Sequence, residues 1–223
     1  MKIVNGVKFI DSPLNGTVFT EVFEEDPYRF KHVKRGGIVI DLGAYIGTFT
    51  LRCAVEKNCT VYAYEPNKEA CSILIWSTKL NENAKVIIHN AAVGNISGYR
   101  TFYRRLDFPT ASNFNHGTYP VVKEKVKAVT LTDIFKENRL TTCDVLKIDI
   151  EYTENQIFQK EYYNDLKKAK YITMEWHNYD GAQYATILKN LGFQVELAGT
   201  GIPQPKYDPT FGGGMLYAWK KMK

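Results

Sequence analysis

The feature that most constrains this chain is the order of its apolar runs. Short segments rich in β-branched and aromatic residues alternate with stretches of helical spacing. The strand-like runs are Ile38–Leu42, Thr60–Tyr64, Val86–His89, Asp144–Ile150 and Tyr171–Trp176. The first two are followed by Thr48–Lys57 and by a helix that Asn67 caps and that reaches about Leu80, with Ala70, Ile73, Leu74 and Leu80 on one face. Buried strands separated by helices satisfy their backbone and cover both faces as a parallel sheet with crossover connections. An α/β fold with a mostly parallel sheet is therefore expected. Ligands of such sheets sit beyond the carboxyl ends of the strands, so the residues at the strand tips are the ones that matter.

The remaining segments attach to that frame. Asn5-Gly6 between short apolar runs predicts a hairpin over Lys2–Phe9. A helix is expected over Thr20–His32, with Asp26 as a cap and Pro27 at its first position. Residues 97–129 read as a hairpin-like insertion, with β-type runs at Tyr99–Tyr103 and Val121–Val129 and a loop at Asp107–Thr118. Asp133–Asn138 reads as a short helix and Ala182–Leu191 as one ended by Gly192. Phe193–Leu197 and Met215–Trp219 read as the last two strands. With 223 residues the chain can bury one core, and a single domain is expected over 1–223. Residues 1–36 form an N-terminal hairpin and helix extension, and 37–223 the core.

Charge and cysteine content narrow the class. Hydrophobic residues at 44% and charged residues at 24% exclude a disordered chain. No apolar run is long enough to span a bilayer, and the first residues lack a signal-peptide core, so a cytoplasmic protein with no membrane partner is expected. The four cysteines form no Cys-x-x-Cys pair and read as reduced packing residues. The net charge of +5 comes partly from short lysine clusters, which a solvated surface accounts for. A nucleic-acid face would want a denser basic stripe with aromatics interleaved.

The chemistry lies at the strand tips. After the first strand stands Asp41-Leu42-Gly43-Ala44-Tyr45-Ile46-Gly47. Gly43 permits a tight turn, and Gly47 is expected to let the next helix start close to a ligand. The spacing is not that of a dinucleotide-binding G-x-G-x-x-G, and Asp41 would repel a pyrophosphate but suit a cationic amino-acid end. Glu65, before Pro66 at the second tip, stands where an acid takes both ribose hydroxyls. Together these point to a nucleoside. At the third tip Asn90 could offer its amide to a flat ring, for which Ala91 and Ala92 would leave room. The fourth and fifth tips would gather Asp149, Glu151, Glu175 and His177 at one rim. Such a cluster can act as a general base, hold a metal through oxygen and imidazole, or be a hydrogen-bonded polar rim. The base reading leads, and no metal is assigned.

These motifs resemble the class I S-adenosylmethionine-dependent methyltransferases, and within them the FkbM family, over about Gly37 to His177. The likeness is carried by Val39–Thr50, Val61–Asn67, Asn90–Gly94, Val129–Ile134 and Asp144–Glu151, and by Glu175-Trp176-His177. The resemblance implies a Rossmann-like methyltransferase sheet of seven strands with an antiparallel C-terminal hairpin. It implies S-adenosyl-L-methionine as cofactor, contacted by Asp41, Gly43, Gly47 and Glu65. Ala44, Tyr45, Pro66, Asn90, Ala91 and Asp149 complete the expected cofactor site. The acceptor implied is an oxygen on a small molecule or sugar. An alcohol acceptor needs its proton removed, and His177 or Asp149 is the expected base. Two departures stand out: Tyr45 where the family usually has Asn, and Glu151-Tyr152-Thr153-Glu154 where it has Glu-Gly-Ala-Glu. The rival readings are an RNA methyltransferase and a cofactor-binding module without turnover. A homodimer is the assembly left open.

Overall fold

The computed structural model describes residues 1–105, 121–177, 180–198 and 213–220. The expected loop at Asp107–Thr118, and all but Gly213 and Gly214 of a second loop that the Gly- and Pro-rich sequence leads one to expect over 200–214, lie outside the described residues.

Seven strands form one sheet: β3 (Ile38–Leu42), β4 (Thr60–Tyr64), β5 (Lys85–His89), β9 (Cys143–Ile148), β10 (Ala169–Trp176), β11 (Gln194–Ala198) and β12 (Gly214–Trp219). Their spatial order is β11-β12-β10-β9-β3-β4-β5. The pairs from β5 to β10 are parallel, and β12 runs antiparallel to both β10 and β11. The expected C-terminal hairpin is thus present, with only its second strand reversed. The chain order turns back between β3 and β9, where strands on either side lead away in opposite directions. That switch point leaves a crevice at the carboxyl ends.

Alternation along the strands feeds two cores. Ile40, Leu42, Leu146, Ile148, Ile172 and Met174 share one buried cluster. Val39, Val61, Val145 and Tyr171 belong to another, against Phe49, Cys53, Tyr28 and Phe30. The central strands β3, β4, β9 and β10 are therefore buried on both faces, which is why their sequences read as continuous apolar runs. The helices supply the cover. Gly47 precedes α2 (Thr48–Glu56), and the Asn67 side chain accepts from the Glu69 and Ala70 amides to cap α3 (Lys68–Leu80). A capping box between Thr130 and Asp133 starts α4 (Leu131–Glu137), so this helix begins two residues before the sequence reading put it. α5 (Tyr163–Leu166) and α6 (Gly181–Asn190) complete the set.

Two segments differ from expectation. The N-terminal hairpin of β1 (Lys2–Val4) and β2 (Val7–Phe9) forms as read. The helix expected over Thr20–His32 is instead broken. α1 (Val18–Thr20) widens into a π-type turn over Glu21–Glu25, and Asp26 then takes a left-handed φ of 51°. Asp26 thus ends a helix rather than capping a new one, and its carboxylate accepts from the Phe30 amide across the turn. Second, Ala91–Val93 form strand β6, parallel to β8 (Val121–Val129), which pairs antiparallel with β7 (Gly98–Arg105). The insertion is therefore a three-stranded sheet, and the small residues after β5 belong to it rather than to an open loop.

Candidate functional site

The first strand tip is built from contacts inside the protein. Gly43 has φ 78°, and a Cβ on it would stand 1.7 Å from the Asp149 carbonyl oxygen. Gly47 has φ 87°, and a Cβ there would meet Leu74 at 2.2 Å. Both glycines are required by the neighbouring backbone and by α3, a demand that periodicity could not reveal. Ala44 is buried and its amide donates to the Tyr64 carbonyl. Tyr45 lies in the left-handed region at φ 50°. Its hydroxyl donates to the Leu14 carbonyl at 3.1 Å, tying the extension down over the turn.

Asp41 is fully buried. It accepts from the Thr50 hydroxyl at 2.6 Å, and Lys147 Nζ stands 3.3 Å away. The cation facing Asp41 is thus one of the chain's own. Lys147 also donates to the Gly43 carbonyl at 2.7 Å and stands 3.4 Å from Asp149. Burial works against its charge, but Asp41 and Asp149 outweigh it and hold the ammonium above its ordinary range. Lys147 therefore ties the first tip to the fourth, a role that its place within an apolar run did not announce.

Glu65 links the first and second tips. Its carboxylate accepts from the Tyr45 amide at 2.8 Å and from the Asn67 amide at 2.7 Å, one bond on each oxygen. Burial pushes it up to about 7, against the pull of those two N–H groups. Each oxygen retains a second acceptor site, which is what two vicinal hydroxyls need. Pro66 follows directly. Asn90 spends its amide on the Glu65 and Pro66 carbonyls, at 2.8 and 3.1 Å, and so braces the second tip. Ala91 is buried within β6.

At the fourth and fifth tips the four expected residues do meet. One ligand atom each of Asp149, Glu151 and His177 lies within 4.8 Å of the others, and Glu175 stands 3.8 Å from His177 Nε2. The β-period is not what brings them together, because β9 ends at Ile148 and Glu151 and Tyr152 turn left-handed at φ 50° and 66°. The Tyr152 ring lies against the His177 ring, with centroids 4.6 Å apart. Three further side chains complete the site. Buried Glu154 meets His177 Nδ1 at 2.9 Å. Tyr28 donates from its hydroxyl to Asp149 at 2.8 Å. Glu21 is pushed up to about 7 by burial and by Asp149. Burial opposes protonation of His177, but the hydrogen bond to Glu154 and the charges of Glu154, Glu151 and Glu175 lift it to about 10. Burial, then Asp149, raise Glu175 to about 7.

A model of the methyltransferase FkbM domain matches residues 41–195, which spans the strand tips and the acidic rim. The chain belongs to the FkbM methyltransferase family. It is 25% identical over 237 residues to 31-O-demethyl-FK506 methyltransferase FkbM of Streptomyces tacrolimicus, covering 90% of this chain and 86% of that protein. Solved structures share the fold. A precorrin-6y C5,15-methyltransferase from Geobacter metallireducens superposes at TM-score 0.52 with 13% identity, over 96% of this chain and 94% of that one. A SAM dependent methyltransferase from Aquifex aeolicus gives 0.50 with 13% identity, over 92% and 93%. This FkbM protein is thus a methyltransferase on a Rossmann-like sheet, and family and fold imply S-adenosylmethionine as its methyl donor. Tyr28 and Glu21 lie outside the matched region, so the extension adds side chains to the acidic rim. Among the described residues, no helix is long and apolar enough to cross a membrane.

Proposed function

We propose that the protein transfers a methyl group from S-adenosylmethionine to an oxygen of a small molecule or sugar. Asp41, Gly43, Ala44, Tyr45 and Gly47 shape the turn for the donor's amino-acid end, with Asp41 acting through Lys147. Glu65 takes the ribose hydroxyls, Pro66 and Asn90 hold Glu65 in place, and Ala91 backs the adenine side. The acceptor oxygen sits beside Asp149, Glu151, Glu175 and His177. One observation carries the reading: the Tyr45 amide donates to Glu65, which makes two adjacent strand tips into one cradle.

The donor arrives activated as a sulfonium, so the protein has to align the reactants, exclude water and take one proton. Of the four rim residues we assign that proton to Glu175. Its side chain is the most exposed of the set at 38%, and it has no hydrogen bond among the described residues. Asp149 is engaged by Lys147 and Tyr28, and His177 by Glu154. Calorimetry with S-adenosylhomocysteine tests the cradle. Micromolar binding that Glu65→Ala weakens by tenfold or more supports it, whereas no heat in the native protein rejects it. Glu175→Gln is expected to lower kcat on the true acceptor with little change in donor affinity.

A second reading, an RNA acceptor, has one observation in its favour. Lys123, Lys125 and Lys127 alternate along the exposed face of β8, with Lys125 over the Tyr99 ring at 5.2 Å and Lys123 over Tyr103 at 5.9 Å. Retention of RNA at low salt that falls steeply with added salt would favour it.

A further inference from the structure

We infer that Asp149, Glu151 and His177 form a binding site for a divalent cation, which holds the acceptor oxygen beside the donor. The inference rests on the acceptor site proposed above and adds a cofactor to it. Two features of different kind support it.

The first is the spacing of the donors. The three ligand atoms lie within 4.8 Å of one another. Donors about 2.1 Å from one ion stand about 3 Å apart when adjacent and about 4.2 Å apart when opposite. Side-chain rotation would have to close any separation wider than that to put the three on one centre.

The second is the orientation of His177. The residue is 9% exposed. Its Nδ1 is fixed by Glu154, whose side chain is 1% exposed and which is not one of the three ligands. Its Nε2 is aimed into the carboxylates and makes no hydrogen bond among the described residues. The nearest oxygens, on Glu151 and Glu175, stand 3.7 and 3.8 Å away, beyond hydrogen-bond reach. Either a second proton on the ring or a metal ion would give Nε2 and the carboxylates one shared positive centre. A carboxylate on the far nitrogen is the common partner of a metal-bound histidine, because it fixes tautomer and ring orientation.

The donor set of two carboxylates and one imidazole suits Mn²⁺, Fe²⁺ or Zn²⁺ and offers no thiolate for softer ions. A cation there polarises the acceptor hydroxyl. The oxygen forms its bond to the methyl carbon as the carbon–sulfur bond breaks. The hydroxyl proton passes to Glu175, and S-adenosylhomocysteine leaves uncharged at sulfur.

The test uses the full chain, free of any tag and treated with chelator, with Mn²⁺ alone as probe. Free Mn²⁺ is followed by electron paramagnetic resonance. One ion per chain is expected, with affinity falling tenfold or more in Glu151→Gln and in His177→Gln. Glu154→Gln, which touches no ion, is expected to weaken binding by about ten- to a hundredfold. S-adenosylhomocysteine affinity, measured on each variant, checks that it is folded. No saturable binding of Mn²⁺, Mg²⁺ or Zn²⁺ at millimolar concentration overturns the inference and leaves the ring with a second proton. Binding that all three variants leave unchanged overturns it too. Failure of the native protein to bind S-adenosylhomocysteine sinks the methyl-donor reading instead and leaves the metal result standing.

Discussion

At the scale of single residues, Glu65 carries the heaviest demands. It is 6% exposed, accepts two backbone N–H groups and has no cation in hydrogen-bond contact among the described residues. Its folded value of about 7 lies above the ordinary 4.5. The folded state therefore holds this proton over a range where the unfolded chain releases it. Stability from this group is present at acid pH and declines as pH rises from about 4.5 to about 7. Glu65→Gln is expected to remove that slope. Melting temperature measured across the window checks it, and a variant profile parallel to that of the native protein would contradict the assignment. Tyr45 poses a different balance. Asn tolerates the left-handed region better, and the relief is worth about 1 kcal/mol. Against it stand the hydrogen bond to Leu14 and the half-buried ring, together about 2 to 3 kcal/mol. Tyr45→Asn is therefore expected to destabilise, by about 1 to 2 kcal/mol in a denaturant titration, and to loosen the extension against protease.

At the scale of elements, the helix caps and the extension decide where the site stands. Asn67 caps α3 with two side-chain bonds, two residues after Glu65. Asn67→Ala is expected to cost about 1 kcal/mol, which in a chain of this size lowers the melting temperature by about 2 to 4 °C. The N-terminal extension is tied at several points. Arg29 pairs with Glu196 and lies over the Tyr217 ring, Tyr217 donates to the Pro27 carbonyl, and Arg52 reaches Asp26. This fixes Tyr28 against Asp149. The strand runs, the Asn67 cap and the residues at each tip were legible in the sequence, because a buried parallel strand and a capped helix leave local patterns. What was not legible depends on turns that have none. Glu154 reaches His177 only because Glu151 and Tyr152 reverse the chain. Tyr28 reaches Asp149 only because Asp26 breaks a helix that periodicity would continue. Lys147 stood unremarked inside a strand run, and pairing was needed to show it between two aspartates.

At the scale of the whole molecule, one sheet organises two packed layers, and its strand tips are the site. The clusters on the two faces share β3 and β9, so a cavity in the centre is felt on both sides. Leu146 is fully buried in the larger cluster. Leu146→Ala is expected to cost about 2 to 5 kcal/mol, with one cooperative transition by both far-ultraviolet dichroism and tryptophan fluorescence. Two separate transitions would mean that the faces fold as independent units. The reversed β12 matters here as well: it brings Gly213 to within 3.0 Å of the Trp176 carbonyl, measured from an ideal Cβ, next to His177.

The contact between Gly43 and the Asp149 carbonyl has a consequence for anyone redesigning this protein. The bend that would seat one reactant leans directly on the main chain that carries the other's carboxylate, with no side chain between as padding. The two berths share a party wall one atom thick. No substitution at position 43 can enlarge the first without shifting the second, so specificity for donor and acceptor has to be altered from the outer sides of each.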